Sequence, residues 1–203
     1  MKIAIVGAGN VGGTLGRGLA RAGHQIVYGV RDPGDPKHAE LRPAEIATVR
    51  AAVEGAEAAI LATPWNGAES ALAAAGDFGG KPLLDATNPI GPGFTLAHGH
   101  TDSGAEQVAR WAKNAKVVKA FNTTGRENMA DPVYGQARAA MFVCGDDQGA
   151  CEVALALARD LGFEAVAVGK LSAARMLEPL AMLWITLARG GHGRNVAFGL
   201  LRR

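Results

Sequence analysis

Close to its start the chain reads Gly7-Ala8-Gly9-Asn10-Val11-Gly12, and the context of this hexapeptide restricts the fold more than any other feature. Lys2 to Val6 is a short, mostly apolar run, and Val11, Leu15, Leu19 and Ala22 recur at helical spacing after the glycines. A strand that turns through glycines straight into a helix is the opening of a βαβ unit. Gln25 to Val30, entered through Gly23, reads as the second strand, so the unit closes within about thirty residues.

The same residues carry a chemistry. Gly7 permits a tight turn, the bare backbone at Gly9 admits a phosphate, and Gly12 lets the helix pack close to the strand. Asn10 and Val11 begin the helix, where unpaired N–H groups and the helix dipole stabilise an anion without a lysine. The Gly-Lys-Ser/Thr ending of a P-loop is absent, which leaves the pyrophosphate of a dinucleotide as the implied ligand.

The second strand ends Tyr28-Gly29-Val30-Arg31. About twenty residues past such a glycine turn, NAD-binding folds place an acid on the ribose hydroxyls. Here Val30 is followed by a cation, and Arg31 can pair with a 2′-phosphate, with Lys37 in reach from the next loop. NADP is the expected cofactor; the alternative is that Asp32 serves as the ribose acid and Arg31 is a surface charge.

Asp32 to Pro43 is polar and rich in Pro and Gly, a loop with one helical turn at most, followed by a short strand near Glu45 to Ala47. Further on, helices are expected over Val49–Glu57 (capped by Thr48), Asn66–Ala75, Gly104–Lys113 and Asp147–Leu161. Strands are expected over Ala58–Ala62, Pro82–Asp85, Lys116–Ala120, Ala140–Cys144 and Glu164–Val168. Strands alternating with helices imply an α/β fold of the Rossmann type, a doubly wound, mostly parallel sheet over residues 1–169. Residues 170–203, with an apolar stretch from Leu177 to Leu187, form a small C-terminal helical appendage of the same domain.

Ligands of such sheets lie across the carboxyl ends of the strands. Three segments follow strands there: Ala62-Thr63-Pro64-Trp65, Asp85-Ala86-Thr87-Asn88-Pro89 and Ala120-Phe121-Asn122-Thr123-Thr124. Their Asn and Thr side chains suit a carboxamide or ribose, and Pro and Trp suit a flat ring, so all three are expected to face the nicotinamide half; the competing reading is that they only make turns. Lys119 invites a role as general acid, but its strand pattern favours an edge or end position with the ammonium in water. Cys144 is expected as a small buried hydrophobe. His98 and His100 lack ligand-spaced partners other than Asp102, so no metal site is expected.

Neither a nucleophile elbow nor a zinc-protease helix occurs, so hydrolytic chemistry has no machinery here. A net charge of +2 over 203 residues, without a basic block, speaks against nucleic acid. Two cysteines make no disulfide framework, and neither a leader nor an apolar run of membrane-span length is evident; a cytoplasmic protein is expected.

With these segments in place, the sequence resembles the coenzyme F420-dependent NADP oxidoreductase family, whose Rossmann domain also resembles the cytosolic domain of membrane ferric reductases. The resemblance spans nearly the whole chain and rests on Gly9-Asn10-Val11-Gly12, Tyr28-Gly29-Val30-Arg31-Asp32-Pro33, Ala62-Thr63-Pro64-Trp65, Lys119-Ala120-Phe121-Asn122-Thr123 and Val143-Cys144-Gly145-Asp146-Asp147. It implies direct hydride transfer between NADPH and a bound deazaflavin (coenzyme F420) or a flavin (FMN or FAD), with no acid–base side chain required. Two positions depart from it: Val30 replaces a serine common in the family, and Ala120-Phe121-Asn122-Thr123 is closer to the ferric-reductase version. A flavin or ferric reductase is therefore the alternative enzyme, and a non-enzymatic NADP sensor the alternative of another class. The C-terminal segment carries Lys170, Arg175, Arg189, Arg194, Arg202 and Arg203 against Glu178, a basic rim suited to an acidic cofactor tail or to a homodimer contact.

Overall fold

The computed structural model describes Met1–Arg203 and opens with the expected unit: β1 (Lys2–Val6), α1 (Asn10–Arg21) and β2 (Gln25–Val30). A 3-10 turn over Pro36–Leu41 precedes β3 (Glu45–Thr48), and Thr48 Oγ1 accepts the Ala51 N–H to start α2 (Val49–Glu54). The chain continues through β4 (Ala58–Leu61), α3 (Ala68–Ala75), β5 (Pro82–Asp85), α4 (Gly104–Trp111) and β6 (Lys116–Lys119). α2 and α4 stop short of their expected ends, because Gly55 and Ala112 take the C-cap positions.

These six strands are all parallel, in the order β3-β2-β1-β4-β5-β6. The chain winds outward from β1 to β3, then returns to β4 on the other side of β1. That reversal leaves a crevice at the carboxyl ends of β1 and β4, the place where such sheets hold ligands.

Beyond β6 the simple alternation stops. α5 (Arg126–Ala130) and a hairpin of β7 (Val133–Tyr134) and β8 (Ala137–Arg138) intervene, and β9 (Ala140–Gly145) comes back antiparallel to β6. α6 (Gln148–Asp160) then carries the chain to β10 (Glu164–Ala167), parallel to β9 at the sheet edge. α7 (Ala174–Leu187) completes the fold.

Alternation along β1 sets the two layers. Ile3 and Ile5 join a core with Leu15 and Leu19 of α1 and Leu157 of α6, while Ala4 and Val6 face Val53 of α2, Leu72 of α3 and Leu177 of α7. Glycine in α1 makes room for this packing: a Cβ on Gly16 would lie 2.1 Å from the buried Tyr28 hydroxyl. Cys144 is sealed in the core, and burial pushes its thiol up to about 12, as a structural cysteine requires.

One expectation needs correction. The helical run Leu171–His192, 22 residues, is long and apolar enough by length and composition to cross a membrane. In this fold it packs against α4, buries Leu177, Ala181 and Trp184, and sinks an ion-paired Glu178 into the core.

Candidate active site

The carboxyl ends of the central strands open onto two adjoining cavities, of about 690 and 630 Å³, that share Asn10, Val11 and Asn88. Gly9, Asn10 and Val11 form one wall of the first cavity, the 62–66 segment after β4 a second, and Ala86, Thr87 and Asn88 after β5 a third. The second cavity lies toward β6 and α7, between Asn122, Thr124–Glu127, Trp184, Ile185, Arg189 and Arg194.

Each glycine of the first turn has a distinct task. Gly7 has φ +101°, and a Cβ there would sit 2.8 Å from the Ala62 carbonyl oxygen. A Cβ on Gly12 would fall 2.0 Å from the Gly7 carbonyl oxygen, so the start of α1 rests on the turn itself. At Gly9 a Cβ would meet nothing within 4 Å, because this residue faces the open cavity. The helical ladder begins with Gly13 N–H donating to Gly9 O at 2.8 Å, leaving the N–H groups of Asn10, Val11 and Gly12 ahead of it. Those amides suit a diphosphate, and the absent side chain at Gly9 leaves it room.

At the end of β2, Arg31 is exposed and pairs with no acid. Asp32 closes a local turn, its Oδ1 accepting the Gly34 N–H at 2.9 Å, and its other oxygen stays free. Lys37 is turned to Asp35, Nζ to Oδ2 at 2.5 Å, and this contact holds the Asp35 carboxyl below the usual carboxylate range.

At the junction of the cavities, Asn88 Nδ2 donates to the Asn122 carbonyl at 2.9 Å, and Asn122 Nδ2 donates to Asn88 Oδ1 at 3.0 Å and to Leu177 O at 3.1 Å. Three buried oxygens of residues that line the cavities have no partner in the protein: Thr63 Oγ1, Asn122 Oδ1 and Glu127 Oε2. Unsatisfied buried oxygens are costly, so their presence in this cleft fits a ligand that brings donors. Phe121, at φ +61°, bends the chain after β6 so that Asn122 reaches the cavity.

Residues 2–89 match a family described as NADP oxidoreductase, coenzyme F420-dependent. The F420-dependent NADP reductase of Methanothermobacter marburgensis is 31% identical over 96% of this chain and 96% of its own length. The chain belongs to this F420-dependent NADP oxidoreductase family. A solved Arthrobacter sp. FB24 protein, named as a candidate F420-dependent NADP reductase, covers all of this chain and is covered fully by it, with a TM-score of 0.89 and 35% identity. Rat metalloreductase STEAP3 is 30% identical over 90% of the chain, which spans 37% of that longer protein.

Within this family member the strand-end segments divide by role. Ala62, Thr63, Pro64 and Trp65 line the first cavity, Asn88 lines both and Asn122 the second. Pro89 packs under α4, within 3.1 Å of where a Cβ on Gly104 would stand, and Ala120 and Thr123 are buried behind the cavities. Each of the three segments therefore contributes some residues to the cavities, while Pro89, Ala120 and Thr123 line neither. Trp65 is braced by Trp111 at 5.2 Å and by His98, edge-on at 5.6 Å, so His98 serves the wall of the first cavity.

Lys119 is the clearest correction. Expected at a solvated strand end, it is wholly buried, and its Nζ binds Asp85 Oδ2 at 2.8 Å, Thr87 O at 2.7 Å and Glu178 Oε1 at 2.9 Å. Burial opposes its charge, but the carboxylates of Asp85 and Glu178 outweigh burial and raise its pKa. Glu178 also accepts the N–H groups of Gly104 and Ala105 at the start of α4, at 2.8 and 3.0 Å. The cluster fixes α7 against the strand ends.

Sequence reasoning missed Arg126 and Glu127, which lie in a Thr-Thr-Gly-Arg-Glu stretch without a familiar motif. Arg126 Nη1 donates to Asn10 Oδ1 at 2.8 Å, and Arg194 Nε donates to Glu127 Oε1 at 2.8 Å. Of the basic tail, Arg175 pairs with Glu106 and Arg202 with Glu164, while Arg189 lies 3.8 Å over the Phe94 ring and, with Arg194, faces the second cavity.

Proposed function

We propose that this oxidoreductase exchanges hydride between NADP(H) and coenzyme F420, with the nicotinamide in the first cavity and the acceptor ring in the second. The reading rests on one observation: the two cavities meet at Asn10, Val11 and Asn88, and no ionisable side chain lines the first. When both are bound, the nicotinamide supplies a hydride and the deazaflavin accepts it, the proton that completes the reduced ring coming from solvent.

The protein's share is positioning. Asn10, Val11 and Gly12 offer amides to the diphosphate, Arg31 stands free for the 2′-phosphate, and the unpartnered Thr63 Oγ1 and Asn122 Oδ1 await donors. Trp184 and Ile185 give the second cavity an apolar side, and its three guanidiniums against the single acid Glu127 suit an acceptor with an anionic tail. Membership in an oxidoreductase family weighs against the sensor alternative. Both substrates are water-soluble, and we place the reaction in the cytoplasm.

The test follows NADPH absorbance with F420, FMN, FAD and ferric chelate offered in turn. Rapid oxidation with F420 alone is expected. Turnover with a flavin or ferric chelate but none with F420 overturns the acceptor assignment. Met176 and Leu183 stand 65% and 50% exposed on the outer side of α7, which supports the homodimer; sedimentation of the wild type against Leu183→Lys measures it.

A further inference from the structure

A diphosphate brings negative charge to a turn in which Gly7 to Gly13 contain no basic residue. Main-chain amides stabilise that charge, but they do not neutralise it. One cation that reaches this turn comes from a distant part of the chain: Arg126, at the start of α5, donates from Nη1 to Asn10 Oδ1 at 2.8 Å. Asn10 is the first residue of α1, and its own N–H is one of the amides ahead of the helical ladder.

The surroundings leave the guanidinium available. Its Nε lies 3.4 Å from Glu127 Oε1, an oxygen that already accepts from Arg194 at 2.8 Å, so Glu127 is shared between two cations. The Nη edge meets only the neutral amide oxygen of Asn10. Arg126 is exposed, lines the second cavity beside Asn10 and Val11, and thus stands where the two cavities join.

We propose that Arg126 is a coenzyme-binding residue, a clasp that Asn10 holds across the cleft and that closes on the diphosphate of the dinucleotide. The inference rests on the dinucleotide reading above and extends it to a residue outside the glycine turn. It makes Arg126 different in kind from Arg31. A clasp on the diphosphate contributes to NADP and NAD alike, since both carry that group, whereas Arg31 senses only the 2′-phosphate.

The experiment measures Kd for NADP+ and NAD+ by calorimetry on wild type, Arg126→Gln and Arg31→Gln, at two salt concentrations. Loss of one charge-assisted hydrogen bond corresponds to about a tenfold weakening, expected for both coenzymes in Arg126→Gln, with a shallower salt dependence. Arg31→Gln separates the two coenzymes instead. Arg126→Lys restores part of the affinity, because a point charge returns without the fork that spans Asn10 and a phosphate. Unchanged Kd values for both coenzymes in Arg126→Gln overturn the proposal, as does weakening of NADP+ alone. If only the KM of the acceptor rises, Arg126 belongs to the second substrate and the clasp is wrong. A wild-type chain that binds neither coenzyme sinks the clasp together with the dinucleotide reading, and that result is seen before any variant is compared.

Discussion

Lys119 Nζ and Glu178 Oε1 meet at 2.9 Å, both sealed from solvent, and join the end of β6 to the middle of α7. With Asp85 Oδ2 and the Thr87 carbonyl, the ammonium has an acceptor for each of its three protons. Glu178 in turn closes the first two amides of α4. The buried charges are tolerable because the network is complete, and removing one member leaves the others unpaired.

Glu178→Ala is therefore expected to cost about 3–5 kcal/mol in urea denaturation, as for one half of a buried ion pair. Glu178→Gln keeps the shape and an acceptor for α4, and should cost less. Equal, small losses in both would show that the cluster contributes little.

The same cluster gives a signed pH dependence. Burial lowers the Lys119 pKa, but Asp85 and Glu178 carry it above its ordinary value. A raised folded-state pKa means that the ammonium's contribution is complete below about pH 10.4 and is lost as pH climbs through the higher folded value. Stability curves at alkaline pH should fall for the wild type and run flatter in that window for Lys119→Met, on a lower baseline.

Gly9 and Gly12 should separate binding from folding. At Gly9 a methyl group meets no protein atom within 4 Å, so Gly9→Ala is expected to keep its thermal midpoint while losing coenzyme affinity by an order of magnitude or so. At Gly12 a methyl group would lie 2.0 Å from the Gly7 carbonyl oxygen, and Gly12→Ala should lose about 1–3 kcal/mol before any ligand is added. A stable Gly12→Ala chain with full affinity would contradict the turn geometry.

Arg31→Glu should weaken NADPH far more than NADH in titrations of coenzyme fluorescence, since Arg31 stands exposed and without an acidic partner at the end of β2. Equal losses for the two would shift the ribose role away from Arg31.

Legibility followed the range of the interactions. The first turn could be read because the strand, the glycines and the helix are contiguous, and each glycine's task depends on its neighbours along the chain. Thr48 as a cap for α2 was local for the same reason. Lys119 was misread because a strand pattern does not say which distant acids converge on its end; Asp85 and Glu178 arrive from β5 and α7. α5 and the β7–β8 hairpin are too short to leave a periodic signal, and without them the antiparallel return of β9 could not be foreseen. Arg126 escaped notice because its partner Asn10 lies at the opposite end of the Rossmann unit.

The carbonyl of Val196 accepts the Trp184 indole N–H and the Asn128 amide, each at 2.6 Å, tying the final residues to α5 and to the Trp184 wall of the second cavity. If the second cavity takes the acceptor as proposed, deleting everything from position 196 onward should abolish turnover while coenzyme binding survives in a titration. Such a trimmed protein would retain the glycine turn of the first cavity and lose the anchor that steadies the second.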